Sequence, residues 1–175
     1  MPGSPPGPGP ALDDGVPIVG LEPSCTAALR SDAGELLPGE PRAAELGSAV
    51  KTLAELLRSA DGWAPPDLSD VTGVAQPHCH ARATGGWEAD AALLAAAGAR
   101  VAAVGGCCGL AGNFGVERGH YDVSSAVAET ALLPAVRDAG DGATVLADGY
   151  SCRTQLDQLA GVRGSHLAEL LASRL

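Results

Sequence analysis

The chain has 175 residues, enough for one domain with its own core, and its 21 acidic and 11 basic residues give a formal charge of -10. This charge excludes DNA and RNA as partners, because binding to a phosphate backbone requires a concentrated basic surface. Apolar residues make up 46% of the chain and aromatic residues only 3%, which favours Ala-, Val- and Leu-rich helices packed on a sheet over an aromatic-rich sandwich.

The N-terminal residues 1–15 are rich in Pro and Gly, which predicts a disordered tail ahead of a domain over residues 16–175. No basic segment followed by an apolar one marks a secretion signal. The longest apolar stretch, Ala91–Gly106, contains Arg100 and is shorter than the roughly 20 residues of a transmembrane helix. These features predict a reducing, cytoplasmic location, with a partner as the means of any peripheral attachment to the inner membrane.

The first half of the domain predicts one strand and two helices. Val16–Leu21 is a short apolar run typical of a buried strand, and Ser24 is a suitable N-cap for a helix through Leu37. Prolines and a glycine end that helix. Leucine and valine residues at helical spacing then predict a helix over Arg42–Ala60.

The second half repeats a strand-then-helix pattern and ends in two short helices. The predicted strands are Gly73–Gln76, Val101–Val104 and Ala143–Ala147, and the predicted helices between them are Trp87–Ala97 and Tyr121–Ala139. Such alternation predicts an α/β fold: a short parallel sheet of about four strands with helices on both faces.

One segment pair indicates an internal duplication. Ile18–Cys25 (IVGLEPSC) is similar to Val145–Cys152 (VLADGYSC), and each is followed downstream by the same pentapeptide LAELL. Ala- and Leu-rich helices match by chance often, so the duplication is a hypothesis.

Each of the four predicted strands is followed within about five residues by cysteine, and these are the only cysteines: Cys25, Cys79, Cys107, Cys108 and Cys152. Because parallel strands end at one edge of a sheet, and ligands bind in the crevice there, the fold would bring these thiols together. A single cysteine in such a domain is more often a small buried apolar residue. A cluster of thiolates instead indicates zinc, copper(I) or an iron-sulfur cluster.

The spacing favours iron-sulfur over zinc. Structural zinc sites typically use C-x2-C pairs, and the chain has none, whereas adjacent cysteines such as Cys107 and Cys108 suit a polynuclear cluster. Zinc held by His78, His80 and one of these cysteines remains an alternative. More often one of the two histidines would donate to a cluster sulfur or cap a helix, and His120 and His166 are expected at the surface or at helix ends.

The glycines of the Cys-Cys segment, GGCCGLAGNFG, would allow close approach of the backbone to sulfur. Gly106, Gly109 and Gly112 are the candidates for this role, and an ordinary flexible loop is the alternative. The glycine spacing does not match a dinucleotide-binding fingerprint. Four arginines near cysteines could offset cluster charge or form surface ion pairs: Arg30, Arg82, Arg118 and Arg153. We assign no general acid or base.

Over residues 16–174 the chain resembles the C-terminal cysteine-rich domain of bacterial FAD-linked oxidases of the D-lactate or D-2-hydroxyglutarate dehydrogenase type. These are akin to the iron-sulfur subunit of glycolate oxidase and to a cysteine-rich component of heterodisulfide reductase. The segments that carry the resemblance are GLEPSC, PHCH, GCCGLAGNFG followed by HYDVS, and GYSCRTQL.

The resemblance implies a [4Fe-4S] cluster held by Cys79, Cys107, Cys108 and Cys152, with Cys25 as a fifth ligand. Gly149 and Gln155 stand where the family's closing Cys-x-x-Cys would need its partner, which puts a five-thiolate cluster in doubt. The resemblance further implies an oxidoreductase component that passes electrons from FAD, in a separate flavin-binding dehydrogenase domain or subunit, to a downstream acceptor. The alternative is a zinc-binding or metal-free structural or interaction domain.

Overall fold

The computed structural model describes residues 8–175 and has α/β architecture, as predicted, with two small parallel sheets. Its strands are β1 (Ile18–Gly20), β2 (Val50–Thr52), β3 (Thr72–Ala75), β4 (Arg100–Ala103) and β5 (Thr144–Leu146). Its α-helices are α1 (Gly9–Asp13), α2 (Pro23–Ala27), α3 (Ala33–Leu36), α4 (Pro41–Ala49), α5 (Leu53–Ser59), α6 (Cys79–Ala83), α7 (Gly86–Ala96), α8 (Tyr121–Ala128), α9 (Leu132–Ala139), α10 (Tyr150–Ala160) and α11 (Leu167–Ala172). A π-helical segment (Ala28–Asp32) joins α2 to α3, and a 3-10 helix (Phe114–Val116) precedes α8. Among the described residues, no helix is both long and apolar enough to span a bilayer.

The three-stranded sheet has β3 at its centre, in the order β4-β3-β5, with all strands parallel. Successive residues of β3 face opposite ways: Ala75 packs into a cluster built from α5, α7 and α11, whereas Val74 packs into one built from α9 and α10. Helices therefore cover both faces of this sheet, as the apolar pattern of its strands predicts.

The prediction of a single sheet of about four strands is wrong, because β1 pairs with β2 in a separate sheet. The sequence predicted β2 as part of a helix over Arg42–Ala60. Val50 instead extends, is 1% exposed and pairs with Ile18. Thr52 then begins α5 through a capping box with Glu55. The helical spacing of apolar residues continues across this break, so periodicity alone hides the strand.

Other boundaries differ from prediction for local reasons. Glu22, not Ser24, caps α2: its carboxylate accepts a hydrogen bond from the Cys25 backbone N–H at 2.9 Å, and Pro23 occupies the first helical position. The single helix predicted over Tyr121–Ala139 is two helices, α8 and α9. The short helix α6 begins at Cys79, where His78 caps it.

The predicted disordered tail lies partly outside the described residues, which begin at residue 8. Within the described part, the structure differs from the prediction because α1 is a short helix with Leu12 only 8% exposed. Arg42 fixes this helix, since its guanidinium donates to the Gly9 carbonyl at 3.0 Å and to Asp13 at 2.8 Å.

The two similar sequence segments adopt similar local structures. β1 leads into α2 with Cys25, and β5 leads into α10 with Cys152. Each LAELL pentapeptide begins a helix with a capping box, formed by Thr52 in α5 and by His166 in α11. This correspondence supports the duplication hypothesis.

Ser124 of α8 fixes the loop that follows β4. A Cβ atom at Gly109 would lie 2.2 Å from the Ser124 carbonyl oxygen, and one at Gly115 would lie 2.2 Å from its Oγ. Ser124 Oγ also accepts a 2.9 Å hydrogen bond from Nε2 of Gln155 in α10, and both side chains are 2% exposed. The loop is thus pressed onto α8 and linked to the helix that carries Cys152.

Two half-buried aspartates, Asp90 and Asp148, line cavities near both sheets. Two cavities of about 30 Å³ share Asp90 of α7 and Asp148, which follows β5. Burial, together with the negative charges of Asp148 and Glu55, raises the pKa of Asp90 to about 7. Burial also raises the pKa of Asp148. Arg30 lines the second cavity but is ion-paired with Glu55.

We predict that Gly109→Ala destabilises the protein by at least about 2 kcal/mol. Gly109 has a φ of +91° and the new methyl group would overlap the Ser124 carbonyl, so both backbone strain and steric overlap oppose folding. Gly105→Ala is the matched control, because a Cβ there meets no atom within 4 Å and its φ is not positive. Urea unfolding should place the control within about 0.5 kcal/mol of wild type; equal stability of both variants would contradict the packing described.

We predict that Asp90 makes the protein less stable as pH rises. The unfolded chain releases this proton near the ordinary value of 3.8, whereas the folded chain keeps it until about pH 7. Between these values the folded state binds more protons, so stability falls by roughly 1.4 kcal/mol per pH unit from this group. Asp90→Asn should remove that slope and gain up to about 4 kcal/mol on wild type between pH 4 and pH 8. Urea unfolding across this range tests the expectation, and parallel pH profiles for the two proteins would refute it.

Candidate metal centre

The carboxyl edge of the three-stranded sheet brings four of the five cysteines to one cavity. β3 leads to Cys79, β4 leads to the Cys107–Cys108 pair, and β5 leads to Cys152 at the start of α10. All four line a cavity of about 340 Å³ together with Ser24, His78, His80, Ala111, Gly112 and Ser151. Cysteines remote in sequence are therefore neighbours in space because parallel strands end at a common edge.

Cys25 is the exception. It follows β1, which belongs to the other sheet, and its exposed side chain does not line the cavity, although the adjacent Ser24 does. Cys25 is therefore the one cysteine of the described residues that does not line this cavity.

Cys108 and Cys152 are both buried, 3% and 2% exposed. Hydrogen bonding of Cys108, chiefly with Cys152 and then with the backbone of Leu110 and Ala111, lowers the pKa of Cys108 to about 6. The same interaction, together with burial, raises the pKa of Cys152. The pKa values of the two neighbouring thiols therefore move in opposite directions.

The other two cysteines of the cavity differ in environment. Cys79 is exposed, whereas Cys107 is half-buried and accepts a 3.3 Å hydrogen bond from the Gly109 backbone N–H. Burial raises the pKa of Cys107 despite this hydrogen bond. The cavity therefore offers sulfur ligands at its mouth as well as in its interior.

His78 is buried, 6% exposed, and contacts serines rather than sulfurs. Its Nδ1 accepts a hydrogen bond from the His80 backbone N–H at 3.3 Å, and its Nε2 lies 3.4 Å from both Ser24 Oγ and Ser151 Oγ. Burial lowers the pKa of His78. His78 therefore caps α6, which is one of the two roles expected for it, and its donation to a cluster sulfur stays a prediction.

His80 also lines the cavity, and its ring meets that of His78 edge-on with 5.2 Å between centroids. His120 and His166 lie at the N-termini of α8 and α11, as expected, away from the cysteines. Within residues 8–175, no three side chains of His, Cys, Asp or Glu converge on a position for a single metal ion. The arrangement therefore gives no direct support to the mononuclear zinc site considered from sequence, which stays an alternative.

The three candidate glycines all have positive φ but serve different contacts. Gly112 lines the cavity. The Gly109 N–H donates to Cys107, and its α-carbon packs against Ser124. The Gly106 carbonyl accepts a 3.2 Å hydrogen bond from Gln76. Part of this glycine requirement thus comes from packing against α8 rather than from approach to sulfur.

None of the four arginines considered from sequence lines the cavity in the described part of the chain. Arg30 pairs with Glu55, and Arg82 donates to the Val104 carbonyl at 2.9 Å. The Arg153 Nε is buried without a hydrogen-bond partner.

Three residues that shape the site were not predicted from sequence: Ser124, Gln155 and Ser151. Ser124 and Gln155 carry no motif, and only the folded loop reveals their contacts. Ser151 had one available signal, because it occupies the same place as Ser24 in the two similar segments.

Comparison with known proteins found two curated relatives, both named D-2-hydroxyglutarate dehydrogenase. The chain is 26% identical over 160 residues to that of Pseudomonas putida KT2440 and 31% identical over 167 residues to that of Escherichia coli K12. The matches cover 91% and 90% of this chain. The chain spans about 15% of the length of either relative. No protein-family model and no solved structure matches significantly. The chain is thus related in sequence to a segment of D-2-hydroxy acid dehydrogenases.

Proposed function

We propose that this chain is the iron-sulfur, electron-carrying module of an FAD-linked D-2-hydroxy acid dehydrogenase of the D-lactate or D-2-hydroxyglutarate type. The observation that carries the proposal is the convergence of Cys79, Cys107, Cys108 and Cys152 on one cavity. Four thiolates are the usual ligand set of a [4Fe-4S] cluster.

The size and donor chemistry of the cavity fit a polynuclear group better than a single ion. Its volume of about 340 Å³ is roughly ten times the 30 Å³ that one water occupies in the liquid. Sulfur donors also match the preference of iron-sulfur clusters for soft ligands.

The cysteines of the cavity would contribute to binding in different ways. The lowered pKa of Cys108 favours its thiolate form, and Cys79 is exposed and accessible to an incoming group. Binding would require Cys152 to release its proton. When bound, the cluster supplies one-electron transfer. Gly112 of the Gly-rich loop lines the cavity without adding a side chain to its wall. Cys25 stays outside the ligand set.

The relatives support the enzymatic context. Both are named D-2-hydroxyglutarate dehydrogenase, and the resemblance to FAD-linked oxidases supplies the flavin. In this proposal, a flavin-binding dehydrogenase domain or subunit oxidises a D-2-hydroxy acid, this chain receives the electrons, and a downstream acceptor takes them. A reducing, cytoplasmic location is part of the same proposal, because free thiolates persist there.

One observation favours a second candidate, a metal-free interaction domain. Cys108 and Cys152 belong to the same buried cluster as Val74, Leu132 and Leu156, so they also serve as small apolar core residues. In that case the thiols contribute to packing alone.

We predict that the chain, reconstituted anaerobically with ferrous iron and sulfide, binds about four irons and four sulfides. Electron paramagnetic resonance after reduction should then show a cluster signal. Cys108→Ser should abolish most of the uptake, because Cys108 lines the cavity and its lowered pKa favours the thiolate that binds iron. Cys25→Ser is the matched control and should retain wild-type iron content, since Cys25 does not line the cavity.

A chain with five free thiols that takes up no iron would defeat the proposal. One zinc per chain, or loss of stability without any change in metal content in the serine variants, would favour a structural domain. Loss of uptake in Cys25→Ser equal to that in Cys108→Ser would contradict the assigned ligand set.

A further inference from the structure

Gln76 has a buried amide oxygen that accepts no hydrogen bond from the described part of the chain. The residue directly follows β3 and is 2% exposed, and the unpartnered atom is its side-chain Oε1. Such an atom is rare in folded proteins, because it has given up a hydrogen bond to water and gained none in return. The oxygen therefore indicates a donor that the protein itself does not supply.

The nitrogen of the same amide fixes its orientation. Nε2 donates to the Gly106 carbonyl at 3.2 Å and to the Pro77 carbonyl at 3.3 Å. Exchanging the two amide atoms would place Oε1 beside two carbonyl oxygens, which only accept hydrogen bonds. Rotating the amide therefore does not give Oε1 a donor.

Gln76 lines one of the two cavities of about 30 Å³, together with Asp90 and Asp148. This volume is enough for one water molecule. The other side chains of the lining are apolar or aromatic apart from His78, whose two ring nitrogens already contact a backbone N–H and serine hydroxyls. The amide and the two carboxyl groups are thus the partners that the cavity offers to a bound molecule.

The two carboxyl groups complement each other as partners of a water molecule. Burial and nearby negative charge raise the pKa of Asp90 to about 7, so at or below that pH it retains a hydrogen to donate. One oxygen of Asp148 accepts the Leu167 backbone N–H at 2.8 Å, which leaves the other oxygen to accept. A water molecule can therefore accept from Asp90 and donate to Asp148 and to Gln76. Three hydrogen bonds are typical of buried water.

We propose that this cavity is a binding site for one internal water molecule, held by Gln76 Oε1 and by the carboxyl groups of Asp90 and Asp148. The water connects α7 and the segment after β5 to the end of β3. Through the Gln76 amide it also supports the Gly106 carbonyl, directly before Cys107, and so helps to position the cysteine pair. The inference does not depend on the proposed iron-sulfur function.

The first test is a crystal structure of the wild-type chain at a resolution that shows ordered solvent. We expect one solvent peak within about 3.2 Å of Gln76 Oε1 and of a carboxyl oxygen of each aspartate. A cavity without solvent density, or a peak that does not contact Gln76, would overturn the proposal. This measurement uses the unmodified chain, so it stands whether or not the variants fold.

The second test measures the exchange of the water in solution by magnetic relaxation dispersion of the water signal. Gln76→Met keeps the length of the side chain but removes the acceptor, so the residence time should fall by between about twofold and tenfold, the effect of one lost hydrogen bond. Gln158→Met is the matched control, because Gln158 is exposed and far along the chain in α10, and it should keep the wild-type residence time.

The outcomes separate this inference from the proposed function. An unchanged residence time in Gln76→Met, or an equal fall in both variants, would overturn the role of the Gln76 amide. Iron uptake is measured in a different experiment, so either proposal can fail while the other holds.

Discussion

The common carboxyl edge of β3, β4 and β5 is the constraint on which the site depends. Parallel pairing fixes the register of β3 against both neighbours, so the segments that follow these strands emerge side by side. Those segments carry Cys79, the Cys107–Cys108 pair and Cys152, and the sulfurs meet without any local cysteine motif. Val74 and Ala75 pack into the core on opposite faces of β3 and hold the strand in place. The packing that forms the core therefore also positions the cysteines.

The sequence allowed the α/β class and the meeting of four cysteines to be predicted, because short apolar segments alternate with helices and each such segment is followed by cysteine. Cys25 was grouped with the others for the same reason, but it does not line the cavity, and its role as a ligand stays a prediction. Its strand pairs with β2, which was hidden inside an apparent amphipathic helix. Helical periodicity reports which residues are buried, and Val50 is buried in either conformation.

The contacts that shape the cavity are non-local and were beyond sequence reasoning. Gln155 meets Ser124 across 31 positions, and His78 meets Ser151 across 73. Each contact depends on a glycine that leaves room, Gly109 beside Ser124 and Gly149 beside His78. A glycine-rich loop in the sequence therefore indicates close approach, but only the fold shows whether the neighbour is a sulfur, a carbonyl or a ring. The segments around Ser24 and Ser151 are similar in sequence, but only the fold shows that the His78 ring lies beside both serine hydroxyls.

The central claim is that four thiols from three strand ends hold iron and sulfide together. A crystal structure of the anaerobically reconstituted chain, with anomalous scattering recorded at the iron edge, tests it most directly. The account predicts iron density within the cavity, bonded to Cys79, Cys107, Cys108 and Cys152 and not to Cys25. Iron density elsewhere on the molecule, or a cavity filled only by solvent in protein that contains stoichiometric iron, would contradict it.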